Sequence, residues 1–262
     1  MLAEPLANII ILCYSYIATN YIYTHLPLSH PWIITIIESL PLVSTTRVLI
    51  LTGSWFGDPH ILTLDGLKYT FNGLGEFTMI KSDNFTLQGR MVQATDNDGN
   101  LVSGTVFSAI VAEDSASIRV QFQLTADGNL EILVDKKVVT FLEDLEIPEA
   151  RFEETILIMR GTNDFVVTFA SGIYMEIKAE NGIISQYIIV LPESFMSTTS
   201  GLLGNYNGEQ SDDLMPRNES AVIPVDSSLE DIHNNFGISC KFRTIIHTTV
   251  SVFLLLSSEN TV

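Results

Sequence analysis

The chain has 262 residues, 46% of them hydrophobic and 17% charged, which gives ample material for a core and no sign of global disorder. The 31 acidic residues against 13 basic ones leave a formal charge of -18. This excludes nucleic acid as a partner, because phosphate binding needs clustered Lys and Arg, and it suits divalent cations or a solvated extracellular surface.

Residues 1–52 differ in character from the rest of the chain. Positions 6–23 are almost wholly apolar, interrupted mainly by Asn8, Ser15 and Asn20, and the first basic residue is Arg47. The basic start of a signal peptide is therefore missing, while the length permits a membrane span of ~20 residues. Three readings stand side by side: an atypical signal or anchor, a transmembrane helix, or unreliable sequence upstream of the domain. Residues 241–262 form a second apolar tail, whose run at 250–256 is too short to span. The two cysteines, Cys13 and Cys240, define no disulfide framework.

Between these ends, residues 53–240 carry the punctuation of an all-β domain. Positions 76–80, 85–88 and 117–124 alternate with the period of two of a half-buried strand, whereas 106–111 is more continuously apolar. Further strands are expected at 130–134, 138–141, 156–159, 165–169, 173–177 and 184–190. Asp127-Gly128 and the stretch from Gly161 to Asp164 supply turns, and Asn181-Gly182 suits a type I′ hairpin. Many short, regularly spaced strands predict a β-sandwich or stacked antiparallel sheets. One short C-terminal helix is expected at 229–235, with Ser227 or Ser228 as N-cap and Gly237 as its stop.

Two stretches hold residues suited to chemistry. The first is Gly57-Asp58-Pro59-His60, succeeded by two short apolar-rich runs split by the turn signal Asp65-Gly66 and closed by another, Asn72-Gly73. The proline nitrogen of an Asp-Pro bond is a tertiary amide, and the Asp58 carboxyl can reach its own carbonyl carbon. The second is the loop 201–213. There Asn205, Asn207, Glu209, Asp212 and Asp213 place oxygen donors at close intervals between glycines, as a calcium ion requires, although a plain Asn/Asp/Gly surface turn has the same composition. Asn84-Phe85-Thr86 and Asn218-Glu219-Ser220 are N-glycosylation sequons in expected loops. No nucleophile triad, phosphate loop, dinucleotide fingerprint or zinc spacing occurs, so no small-molecule substrate is expected. His233 reads as a surface residue of the helix, and Tyr69, Phe71, Phe77 and Phe122 read as core.

The order of GDPH, TLDGLKYTFNG and GLLGNYNG, with Asp212-Asp213 behind the last, resembles the von Willebrand factor type D domain. The form it is most similar to is the cysteine-poor one of membrane mucins, junction proteins and sushi-domain-containing cell-surface proteins. The likeness runs from Trp55 to Cys240. It implies an extracellular or cell-surface module with a structural or adhesive role, set among neighbouring domains of a larger protein and working with other cell-surface proteins. Membrane attachment depends on residues 1–50. The resemblance also implies one calcium ion held by Asp65, Asn205, Asn207, the Glu209 carbonyl, Asp212 and Asp213, with Asn207 standing where an aspartate is common. Leu203 replaces the cysteine of polymerising relatives, so no disulfide-linked multimer is expected. Some relatives with GDPH break the Asp-Pro bond themselves. Self-cleavage at Asp58-Pro59, with His60 donating the proton to the departing proline nitrogen, is thus the alternative function; otherwise Pro59 only fixes the lead into the first strand.

Overall fold

The computed structural model describes residues 47–52, as backbone, and 60–242 apart from 97, 116–118, 143–147, 153–154, 163 and 219. Residues 1–46 and 243–262, and with them both apolar ends apart from the strand at 47–52, lie outside the described residues, as do Asp58 and Pro59.

Among the described residues there are fourteen strands, and every pairing between them is antiparallel. One block runs β3 (Lys68–Thr70), β2 (His60–Leu62), β1 (Arg47–Thr52), β14 (Ile183–Leu191), β13 (Tyr174–Glu180), β12 (Asp164–Phe169), β11 (Ile156–Arg160) and β10 (Glu149–Phe152). The other runs β4 (Gly75–Lys81), β5 (Phe85–Thr95), β6 (Leu101–Asp114), β7 (Arg119–Leu124), β8 (Leu130–Val134) and β9 (Lys137–Val138). A single pairing, Ile184 with Phe107, joins β14 to β6. The expected all-β architecture is thus present, as curled antiparallel sheets.

The strands form where the pattern dictates. β5 alternates buried and half-exposed over its first seven residues, placing Phe85, Leu87 and Met91 on the inner face. Aromatic edges lock the blocks across the core: Phe85 meets Phe169 with ring centroids 6.0 Å apart, and Phe107 meets Tyr187 at the same separation. The continuous apolar run of β11 has a physical cause, since Ile156 and Ile158 enter this main core while Leu157 and Met159 join a second buried cluster with Val166, Tyr174, Ile188 and Val190. β1 and β10 carry no signal strong enough to be expected from sequence; β1 pairs along β14 from Arg47–Leu191 to Thr52–Gln186.

The turn at Asn181-Gly182 has the expected positive φ values, 54° and 73°. Asn72-Gly73 does something else. Among the described residues β3 pairs only with β2 and closes no hairpin there, and the Asn72 side-chain oxygen accepts from the Thr105 N–H at 3.0 Å. Gly73 admits two rings, because a Cβ would lie 2.5 Å from both Phe71 and Phe77. The C-terminal helix α1 (Leu229–Asp231) opens as expected at Ser228, whose hydroxyl accepts from the Asp231 N–H at 3.0 Å. It does not stop at Gly237. A π-turn over Ile232–Phe236 and a 3₁₀ turn over Gly237–Cys240 carry it on, and Gly237 is there because a Cβ would meet the Phe71 ring at 2.0 Å. His233 is half-buried rather than a plain surface residue, with its ring 5.2 Å from that of Phe71.

Candidate metal centre

Two loops more than a hundred positions apart in sequence meet at one end of the fold. The first is the β2–β3 turn, closed by the Thr63 N–H to the Leu67 carbonyl and the Gly66 N–H to the Thr63 carbonyl. The second, 200–213, is set by an irregularity in β4. There Thr78 pairs with Gln88 and Ile80 with Leu87, leaving Met79 as the extra residue. The Thr78 and Met79 carbonyls then accept from the N–H groups of Leu202 and Leu203 at 3.1 and 3.0 Å. Leu202 and Leu203 are fully buried, so the loop is pinned by backbone bonds and by core burial together. The buried Tyr69 hydroxyl adds a bond to the Leu202 carbonyl at 2.6 Å.

Onto this frame the oxygen donors converge. Asp65 is buried, and its two carboxylate oxygens accept from the N–H groups of Asn207 and Gly208 at 2.9 and 2.8 Å. Asp213, also buried, accepts from the Thr63 hydroxyl at 2.5 Å and from the Asn205 N–H at 3.3 Å. The Asn207 amide nitrogen donates to Asp212, and its oxygen accepts from the Glu209 N–H. Gly204 has φ +81°, and a Cβ there would lie 2.0 Å from an Asp213 oxygen, so only glycine lets that carboxylate reach the loop backbone.

The electrostatics are those of crowded acids. Burial pushes the Asp213 carboxyl up to about 6; the Thr63 hydroxyl opposes this, and the neighbouring Asp65 and Asp212 charges add to it. Two buried oxygens, Asn205 Oδ1 and Asp212 Oδ1, have no hydrogen-bond partner among the described residues. Unpartnered buried acceptors are costly, and a hard cation is the species that would satisfy several of them at once. No three Asp, Glu, His or Cys side chains among the described residues are grouped so as to hold a metal by themselves, so a cation here would also need Asn amides and backbone oxygens.

Asp65, Asn205, Asn207, Asp212 and Asp213 are therefore gathered as the sequence suggested. The Glu209 side chain is exposed, and its backbone N–H serves the Asn207 amide. Thr63 and Gln210 were not foreseen. Thr63 both donates to Asp213 and accepts from the Leu67 N–H at 2.9 Å, while Gln210 donates to the Asp65 carbonyl at 3.0 Å. Thr63 stands inside the first motif and Gln210 inside the second loop, and that position is the signal that could have flagged them. At the other motif, Thr52 pairs with His60, whose exposed ring lies 3.1 Å from the Thr70 hydroxyl. Asn84 and Asn218 are both exposed on turns.

The profile of the von Willebrand factor type D domain matches residues 53–220, which takes in both loops. The chain belongs to that family. Among its relatives, Sushi domain-containing protein 2 of Homo sapiens is 29% identical over 182 residues, covering 68% of this chain and 22% of the relative. Mucin-4 of Homo sapiens is 32% identical over 195 residues, covering 70% and 4%. Protein mesh of Bombyx mori is 30% identical over 196 residues, covering 70% and 12%. The chain thus spans less than a quarter of the length of each of these type D relatives. Among the described residues, no helix is long and apolar enough to cross a membrane.

Proposed function

We propose that this type D domain is an extracellular structural or adhesion module whose two interlocked loops are stabilised by one calcium ion. A role as a structural module of the cell surface accords with the mucin-type relatives, and its partners are then neighbouring domains and other cell-surface proteins. The observation that carries the calcium reading is the pair of buried, unpartnered oxygens on Asn205 and Asp212 beside the crowded carboxylates of Asp65 and Asp213. Asp65, Asp212 and Asp213 supply the charge, Asn205 and Asn207 supply neutral oxygens, and the Glu209 carbonyl completes the set. Such an ion ties the β2–β3 turn to the 200–213 loop, so it acts on rigidity rather than on catalysis. Isothermal titration of the chelator-treated chain with calcium tests this. One ion per chain, lost in Asp213→Ala, supports the reading; no heat in the wild type contradicts it.

A second reading is scission of the Asp58-Pro59 bond. What favours it is His60, exposed and beginning β2 two residues past Asp58. The Asp58 carboxylate would attack its own carbonyl carbon, the C–N bond to Pro59 would break as His60 protonates the leaving nitrogen, and water would open the resulting cyclic anhydride. Intact-mass measurement at neutral and mildly acidic pH tests it. Two fragments in the wild type and none in Asp58→Asn support scission, while a single uncut mass contradicts it.

A further inference from the structure

At some remove in sequence from the calcium loops, three hairpin tips line a second depression. The turn at Asp127-Gly128, the start of the β11–β12 turn at Gly161-Thr162 and the turn at Asn181-Gly182 border a cleft of about 690 Å³. Two of the tips touch through glycines, for a Cβ on Gly128 would lie 3.0 Å from the Gly182 Cα. The polar groups of the cleft come from Asn129, Arg160, Thr162, Asp164, Glu180 and Asn181.

Several of these groups are held in place. The Arg160 guanidinium sits 4.9 Å over the Phe141 ring, and Phe141 stacks on Phe165 with centroids 5.7 Å apart. Phe165 is itself buried and lies 6.4 Å from Phe122 in the core, so the guanidinium caps an aromatic column rising from the interior. Asp164 folds back on its own turn. Its carbonyl accepts from the Gly161 N–H, and a Cβ on Gly161 would lie 2.3 Å from its carboxylate. Glu180 is paired with Lys178 at 2.6 Å, which offsets its charge.

We infer that this cleft binds a short neutral oligosaccharide. A mostly polar lining disfavours an apolar ligand, the Asp164 carboxylate disfavours an anion, and the fixed guanidinium disfavours a cation. What remains is a ligand whose every group both donates and accepts. Sugar hydroxyls do this, and vicinal pairs match the planar forks of Arg, Asp and Asn. The surface loops of a rigid β scaffold are where such recognition belongs. None of the residues that line the cleft belongs to the two calcium loops.

The test is a nitrogen-edited NMR titration of the full chain with lactose, maltotriose and chitotriose, each into the millimolar range. Saturable shifts at Asn129, Arg160, Thr162, Asp164 and Asn181 with at least one of the three sugars are expected. Arg160→Lys, which keeps the charge over Phe141 but loses the planar fork, should weaken binding about tenfold. Thr162→Ala, on an exposed turn, provides a second variant that leaves the fold intact. No saturable shift with any of the three sugars overturns the inference. So do shifts that map elsewhere, or shifts that both variants leave unchanged.

Discussion

Asp65 and Gly208 are 143 positions apart in sequence, yet the N–H of Gly208 donates to the Asp65 carboxylate at 2.8 Å. With the Asn207 bond at 2.9 Å beside it, the buried Asp65 carboxylate acts as a clasp between the β2–β3 turn and the 200–213 loop. Asp65→Ala leaves both amides without that acceptor and should cost about 2–4 kcal/mol, read as a lower midpoint in urea unfolding. A loss under about 0.5 kcal/mol would mean that the remaining ties, the Thr63–Asp213 and Gln210–Asp65 bonds with the burial of Leu202 and Leu203, hold the loops without this carboxylate.

Thr63→Val separates the hydrogen-bond frame from the donor set. It removes the hydroxyl that serves both Asp213 and Leu67, with an expected loss of about 1–2 kcal/mol, while every oxygen assigned to calcium stays in place. A calcium response should survive in this variant at lower overall stability. Gly204→Ala should lose both, because its Cβ collides with the Asp213 carboxylate at a positive φ.

Much of this was legible in the sequence because local pattern and tertiary need agree. The alternation in β5 and the Asn181-Gly182 turn come directly from side-chain period and backbone sterics. The failures share a cause in packing. Asn72-Gly73 and Gly237 look like a turn and a helix stop, but both glycines are there to make room for Phe71, and no local signal reveals a ring arriving from elsewhere in the fold. β1, at the edge of an apolar stretch, gains its strand identity from the length of β14 beside it. The oxygen donors could be read from two motifs, whereas Thr63 and Gln210 needed the loops to be brought together.

In calcium-free protein the stability should fall as pH rises. Asp213 has a folded pKa of about 6 against an ordinary 3.8, so the folded state holds its proton more tightly than the unfolded chain does. Ionisation therefore costs stability, beginning as pH passes 3.8 and complete above about 6. Urea midpoints measured on either side of that window should show the decline in the wild type and a flatter profile in Asp213→Asn. Saturating calcium should reverse the slope, since protons then compete with the ion.

Cys240 should be inert in the native state. It is fully buried, and burial pushes its thiol up to about 11 against the opposing effects of Ser239 and Arg217. In a Cys13→Ser background, an aromatic disulfide reagent should label Cys240 only after denaturant is added. Rapid native labelling would show that the helix end at Gly237–Cys240 opens readily.

The most direct test of the calcium-clasp reading is the melting temperature of the full chain in millimolar calcium and in excess chelator. With the millimolar-range affinities usual for extracellular modules, calcium should add about 1–2 kcal/mol and raise the midpoint by ~2–5 °C, and Asp213→Ala should abolish the difference. Identical melts of the wild type with calcium and with chelator would contradict the claim that an ion joins these two loops.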